Sequence, residues 1–172
     1  MRNVVLKMHV SLDGYVKATS GDVMGWIFRT YDEELKAWEV DLLWQAGTHI
    51  MGRRLYEEMA AYWPTSTEEF APPMNEIPKV VFSKSMRQAD WAHSRNSNGD
   101  VEEELGCLQQ ESGTAILAHG GPEFAQSLSR LGLIFENKTP TGSQKPGGCT
   151  LLLEKHYDTP DRPEGGRLSD PI

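Results

Sequence analysis

Hydrophobic and polar positions alternate from Asn3 to Val10, with Val4, Leu6, Met8 and Val10 on one side of a period-two pattern and Val5 and Lys7 on the other. This predicts a first strand. The period then lengthens. Thr30 stands three residues before Glu33 in a capping-box spacing, and Leu35, Trp38, Leu42, Leu43 and Ala46 follow at helical intervals. A helix is predicted here, ended by Gly47 in a positive-φ conformation. Thr48 to Met51 is a short apolar strand, after which Leu55, Met59 and Tyr62 recur at i, i+4 and i+7 until Pro64 stops the helix.

The alternation continues. Val80-Val81-Phe82 predicts a third strand, and Asp100 with Glu103 caps a helix whose buried face is Val101, Leu105 and Leu108 and which closes at Gly113. Ala115 to Ala118 is the fourth strand. Gly120-Gly121-Pro122 opens a last helix, with Pro122 in the first turn and Phe124, Leu128 and Leu131 toward the core. Four strand-then-helix units imply a largely parallel sheet covered by helices. Two long connections, Pro64 to Pro78 and Lys84 to Gly99, read equally well as binding loops or as surface excursions.

Composition narrows the partners. At 172 residues the chain fits one domain, and a net charge of −8 with no run of five Lys or Arg argues against nucleic acid and anionic membrane surfaces. No apolar stretch approaches the roughly 20 residues that cross a bilayer. The N-terminal apolar run is too short for a signal peptide. Cys107 and Cys149 have neither CxxC nor zinc-like spacing, so no metal is expected and the cytoplasm is the expected compartment.

In open parallel sheets ligands bind beyond the carboxyl ends of the strands. There the sequence places Ser11-Leu12-Asp13-Gly14, Gly52-Arg53-Arg54, Ser83-Lys84 and His119-Gly120-Gly121. An acidic chain has gathered cations and glycines at one edge. The glycines let backbone N–H groups approach a ligand at helix starts, and the arginines add bidentate, charge-assisted bonds to phosphate. Each turn taken singly has a plainer reading, since any strand-to-helix turn favours Gly, Asp13 before Gly14 suits a turn, and His119 suits a turn or core position. Three such turns on one edge point to a phosphate-bearing nucleotide.

Four strings carry a family resemblance: Ser11-Leu12-Asp13-Gly14-Tyr15, Met51-Gly52-Arg53-Arg54, Lys79 to Lys84, and Leu117 to Phe124 with its Gly120-Gly121-Pro122-Glu123-Phe124 segment. In this order they resemble the dihydrofolate-reductase-like superfamily. The resemblance is closest to the C-terminal reductase domain of the bacterial riboflavin-biosynthesis deaminase-reductase and its stand-alone relatives. It implies an α/β fold with a mostly parallel central sheet flanked by helices, and a homodimer. It also implies NADPH, with Gly52, Arg53 and Arg54 near the adenosine phosphates, Ser83 and Lys84 beside them, and Gly120 and Gly121 under the pyrophosphate. Gly14, Glu123 and Phe124 belong to the same cofactor set, and Asp13 is the implied catalytic residue, orienting a small-molecule substrate or managing a proton.

The implied reaction is hydride transfer to a heterocyclic or ribosyl compound resembling 5-amino-6-(5-phosphoribosylamino)uracil, with folate a less attractive substrate. Relatives commonly carry Thr after the two basic residues, where this chain has Leu55. The lost hydroxyl contact costs roughly 1 kcal/mol, about fivefold in affinity. A nucleotide-binding module without turnover and a truncated inactive product are the alternatives.

The resemblance covers residues 1–134. Residues 135–172 hold five Gly, five Pro, six Leu, Ile or Phe and no Val, close to the compositional boundary for disorder. Relatives supply antiparallel strands here. Either a divergent tail contributes one strand at Thr150 to Leu153, or an altered reading frame near codon 136 has removed the last strands. The abrupt change in composition favours the second reading, which would leave strand one as an apolar, unpaired edge.

Overall fold

The computed structural model describes residues 1–10, 32–133, 136–138 and 149–154. Among these, seven strands form one sheet: β1 (Val4–Val10), β2 (Ala46–Gly52), β3 (Lys79–Phe82), β4 (Ser94–Ser97), β5 (Ala115–His119), β6 (Glu136–Lys138) and β7 (Cys149–Glu154). Their order is β4-β3-β2-β5-β1-β7-β6. The pairs from β4 to β1 are parallel, and β7 runs antiparallel to both β1 and β6.

Strand one is therefore not an edge. β7 pairs along Val5 to Val10, with Leu6 opposite Leu153 and Met8 opposite Leu151. The backbone of Cys149–Glu154 supplies the antiparallel partner that β1 would otherwise lack.

Among the described residues, five α-helices flank the sheet: α1 (Glu33–Gln45), α2 (Arg53–Tyr62), α3 (Ala71–Glu76), α4 (Val101–Gln110) and α5 (Pro122–Arg130), with a 3₁₀ turn at Trp63–Thr65 after α2. Alternating residues of each strand serve the two faces. Val4, Leu6, Ile50, Val80, Ile116 and Ala118 pack against Leu105 and Leu108 of α4 and Phe124 and Leu128 of α5. Val5, Met51, Val81 and Leu117 pack on the other face against Leu43 of α1, Tyr56 of α2 and Met74 of α3.

Several local expectations change. Asp32 caps α1, its Oδ1 accepting from the Leu35 N–H at 2.9 Å, whereas Thr30 lies outside the described residues. Gly47 does not end α1. The helix passes through extended Ala46 directly into β2, and Gly47 lies inside the strand. The cause is a close approach: a Cβ at Gly47 would sit 2.8 Å from Thr114 Oγ1 and 2.9 Å from Arg2 Nη2.

Arg2 is buried there. It donates from Nε to the Thr114 carbonyl at 2.6 Å and from Nη2 to Thr48 Oγ1 at 2.7 Å. Gly47→Ala is expected to lower stability by roughly 1–3 kcal/mol through this overpacking, read as a lower urea midpoint at unchanged slope.

The two long connections are partly ordered elements. Ala71-Pro72-Pro73 starts α3, its prolines sitting in a first turn where the missing N–H groups have no intrahelical partner. Ser94–Ser97 adds β4 as a polar edge strand beside β3. Leu131 lies just past α5 and is 39% exposed instead of facing the core. The cap at Asp100 is as expected, its Oδ1 accepting from the N–H groups of Glu102 and Glu103.

Candidate active site

The chain leaves β2 through α2 on one face of the sheet and leaves the adjacent β5 through α5 on the other. The carboxyl ends of β2 and β5 therefore flank a topological switch point, the usual ligand crevice of such sheets. Gly52 forms one lip and Gly120-Gly121 the other. They meet closely, since a Cβ on Gly52 would lie 3.4 Å from the Cβ of Phe124.

The helices at this crevice are capped differently from α1 and α4. Asp32 and Asp100 accept from the first-turn N–H groups of α1 and α4. The N-caps of α2 and α5 are Gly52 and Gly121, with no side-chain cap. Their first-turn N–H groups, at the positive ends of the helix dipoles, are thus left for another acceptor.

The two arginines extend from α2 in different directions. Arg53 donates from Nε to Glu57 Oε1 at 2.7 Å and from Nη1 to Ser85 Oγ at 2.8 Å, reaching the turn after β3. Arg54 donates from Nη1 to Glu123 Oε1 at 3.1 Å, spanning the two lips. Both pairs are exposed, so each contributes at most about 1 kcal/mol and yields readily to a stronger anion.

Ser83 shapes the third turn. Its Oγ accepts from the N–H of Ser85 at 3.3 Å and of Met86 at 3.0 Å, leaving the hydroxyl hydrogen to donate. Lys84 follows it, exposed, on the wall of an open groove of about 760 Å³ that Ser85, Arg87, Arg95 and Asn96 also line.

The structure thus gathers Gly52, Arg53, Arg54, Ser83, Lys84, Gly121 and Glu123 around one edge and gives others a packing role. The Gly120 N–H donates to the Lys7 carbonyl at 2.9 Å, and a Cβ there would meet Leu6 Cδ1 at 3.1 Å and Met8 Cγ at 3.2 Å. Gly120 is glycine because β1 is close, whereas Gly121 faces open space. Phe124 is buried and stacks on Phe82 with ring centroids 5.4 Å apart. Leu55 packs with the aromatic core of the α2 face. Asp13 and Gly14 lie outside the described residues.

Sequence reasoning missed a polar seam beneath α1. Glu39 is fully buried and ion-paired with Lys7, and it lies 3.6 Å from His9 Nε2. His49 of β2 and His119 of β5 are buried beside this group, their rings edge to face at 4.7 Å. Burial pushes His49 down to about 3, helped by the charges of Lys79 and Lys7 and opposed by the Leu43 main chain. Burial also holds His119 well below the usual histidine range, with His49, Lys7, His9 and Lys79 adding to the shift. One signal was available: Glu39 stands four residues from both Leu35 and Leu43, on the helix's inward face. Among the described residues no three His, Cys, Asp or Glu side chains are placed to hold a metal ion.

Comparison with known proteins decides the family, because the RibD C-terminal domain matches residues 2–137. The chain belongs to the RibD C-terminal domain family. Its α/β fold, a mostly parallel sheet flanked by helices, is the one expected from the sequence. A curated relative, Uncharacterized protein YyaP of Bacillus subtilis strain 168, is 26% identical over 140 residues, covering 78% of this chain and 71% of its own.

Among solved structures, a Shewanella sp. PV-4 protein named for riboflavin biosynthesis superposes with a TM-score of 0.63 at 12% identity, covering 89% of this chain and 97% of its own. A dihydrofolate reductase from Enterococcus faecalis, complexed with NADP(H), gives a TM-score of 0.46 at 12% identity, covering 88% and 92%. The family match spans β1 through β5, and so includes both lips of the crevice. Among the described residues no helix is long and apolar enough to cross a membrane.

Proposed function

We propose that this RibD-like chain is an NADPH-dependent reductase acting on a small heterocyclic or ribosyl substrate, of the kind exemplified by 5-amino-6-(5-phosphoribosylamino)uracil. The observation carrying this reading is the pair of uncapped helix N-termini, α2 and α5, facing one crevice with Arg53 and Arg54 beside them. Those groups suit a ligand with several phosphates, since open N–H groups and guanidinium forks both donate to phosphate oxygens. Bound there, the nicotinamide cofactor would supply the hydride.

The chain's own residues bind and orient. The first-turn N–H groups of α5 donate to the pyrophosphate beside the open flank of Gly121, and Arg53 with Ser83 and Lys84 holds a terminal phosphate of the adenosine half. Arg54 exchanges Glu123 for phosphate. Asp13 orients the substrate or manages the proton that accompanies reduction. The same reading carries a homodimer in the cytoplasm.

Titration of NADPH fluorescence tests the site. The Arg53→Ala, Arg54→Ala double variant loses two charge-assisted bonds, roughly 3 kcal/mol together, and is expected to bind about 100-fold more weakly. Equal affinity in both proteins overturns the assigned site. Saturable binding without substrate-dependent NADPH oxidation, across a panel of ribosyl-pyrimidine compounds, would identify a binding module instead of a reductase.

A further inference from the structure

The polar seam beneath α1 has a property unconnected with nucleotide binding. Only Glu39 and Leu43 of α1 are fully buried, so the helix is held to the sheet by Leu43, by the partly buried Trp38, Val40 and Leu42, and by one buried carboxylate. The facing groups are overwhelmingly basic. Lys7 and His9 come from β1, His49 from β2, His119 from β5 and Lys79 from β3, with Lys7 opposite His119 and His49 opposite Lys79 in the strand register. Glu39 is already engaged by Lys7. Nε2 of His119 is buried with no hydrogen-bond partner among the described residues.

A proton on His49 or His119 would therefore place a cation 4.7 Å from another ring, flanked by two lysines, where Glu39, already paired with Lys7, is the carboxylate of the group among the described residues. The opposite face of the sheet is different. Among the described residues its core of Leu6, Ile50, Ile116, Leu105 and Leu128 holds no histidine, and the buried ionisable group beside it is Arg2, paired with Glu111. Acid thus acts on one helical layer and spares the other.

We propose that the seam is an acid-sensitive latch: in weak acid α1 lifts from His9, His49 and His119 while β5, α4 and α5 stay folded. The direction follows from proton linkage. Seated under α1, the histidines bind protons poorly, and freed they bind them near pH 6.5, so falling pH draws the equilibrium toward the open form. For His49 alone, held at about 3 when seated, the bias at pH 4.5 is on the order of 100-fold.

Hydrogen exchange followed by mass spectrometry on the full chain, corrected for the intrinsic pH dependence of exchange, reads the latch directly. Between pH 7.5 and 4.5 the protection of residues 33–45 is expected to fall by about 100-fold or more, while residues 101–110 and 115–119 keep theirs. The His49→Gln, His119→Gln double variant is expected to retain α1 protection at pH 4.5, and His93→Gln, at an exposed position, to behave as the parent. Simultaneous loss of protection in α1 and β5 overturns the proposal. So does a double variant whose α1 opens at the parent's pH. Should that variant not fold, NMR titration of the parent's histidine C2 protons decides, since the His119 ring must titrate together with α1 opening and not with global unfolding.

Discussion

Glu39→Ala is expected to lower stability by about 3–5 kcal/mol, the usual cost of removing one partner from a buried ion pair. Lys7 keeps an ammonium whose side chain is only 11% exposed, and the alanine leaves it without its carboxylate on a face already crowded with histidines. Chemical denaturation gives the value directly. The Lys7→Met, Glu39→Leu double variant removes both charges while keeping similar volume, and is expected to recover most of the loss. If the single and double variants are equally unstable, the carboxylate acts through packing and not as a counter-ion.

Lys79→Met is the second large effect. Lys79 is 1% exposed, and its ammonium donates to the carbonyls of Met74 at 2.9 Å, Asn75 at 3.0 Å and Ile77 at 2.8 Å, closing the C-terminus of α3. It also lies 4.6 Å from the Trp91 ring centroid. Methionine fills the space but leaves three carbonyls without a donor, for an expected loss of about 3 kcal/mol.

The pH dependence gives a separate readout. Burial draws the Lys79 ammonium down to about 8, below its ordinary 10.5, so between these values the unfolded chain binds the extra proton. The parent's stability should then rise with pH across that window, relative to Lys79→Met. An identical slope in both proteins removes Lys79 as the origin.

The fold was legible wherever a periodic apolar pattern met an unambiguous stop. β1, β3, β5, α4 and α5 fall close to their predicted places because Val4, Leu6, Val80, Leu105, Ile116 and Leu128 each face a core through their own periodicity. α3 and β4 were not legible. Pro72 and Pro73 fall inside the long connection from Pro64 to Pro78 yet occupy a first turn, and Ser-Arg-Asn-Ser has no alternation because β4 is an edge strand beside β3. β7 was readable as a strand from its leucines, but its Gly- and Pro-rich surroundings outweighed them.

At the site, glycines and cations could be placed on one edge from sequence because strand-to-helix turns fix where they fall. Their division of labour could not. Gly120 serves the approach of β1 and Gly121 the open crevice, although they are neighbours of the same type, because one residue's rotation along the chain turns its flank from the strand to the space beside it. Phe124 likewise stacks on Phe82 in the core, and its Cβ sets the width of the crevice at Gly52.

Sequence alone determined the parallel α/β order, the glycine-initiated turns and the arginines that follow them, since these depend on interactions within a few residues of chain. Tertiary structure decided which polar groups would be buried together. Lys7, Glu39, His49 and His119 come from four elements spread over 113 residues of chain, and no local pattern links them. They meet because sheet order places β5 between β1 and β2 and lays α1 across that face, where removal from water makes each charge depend on its neighbours.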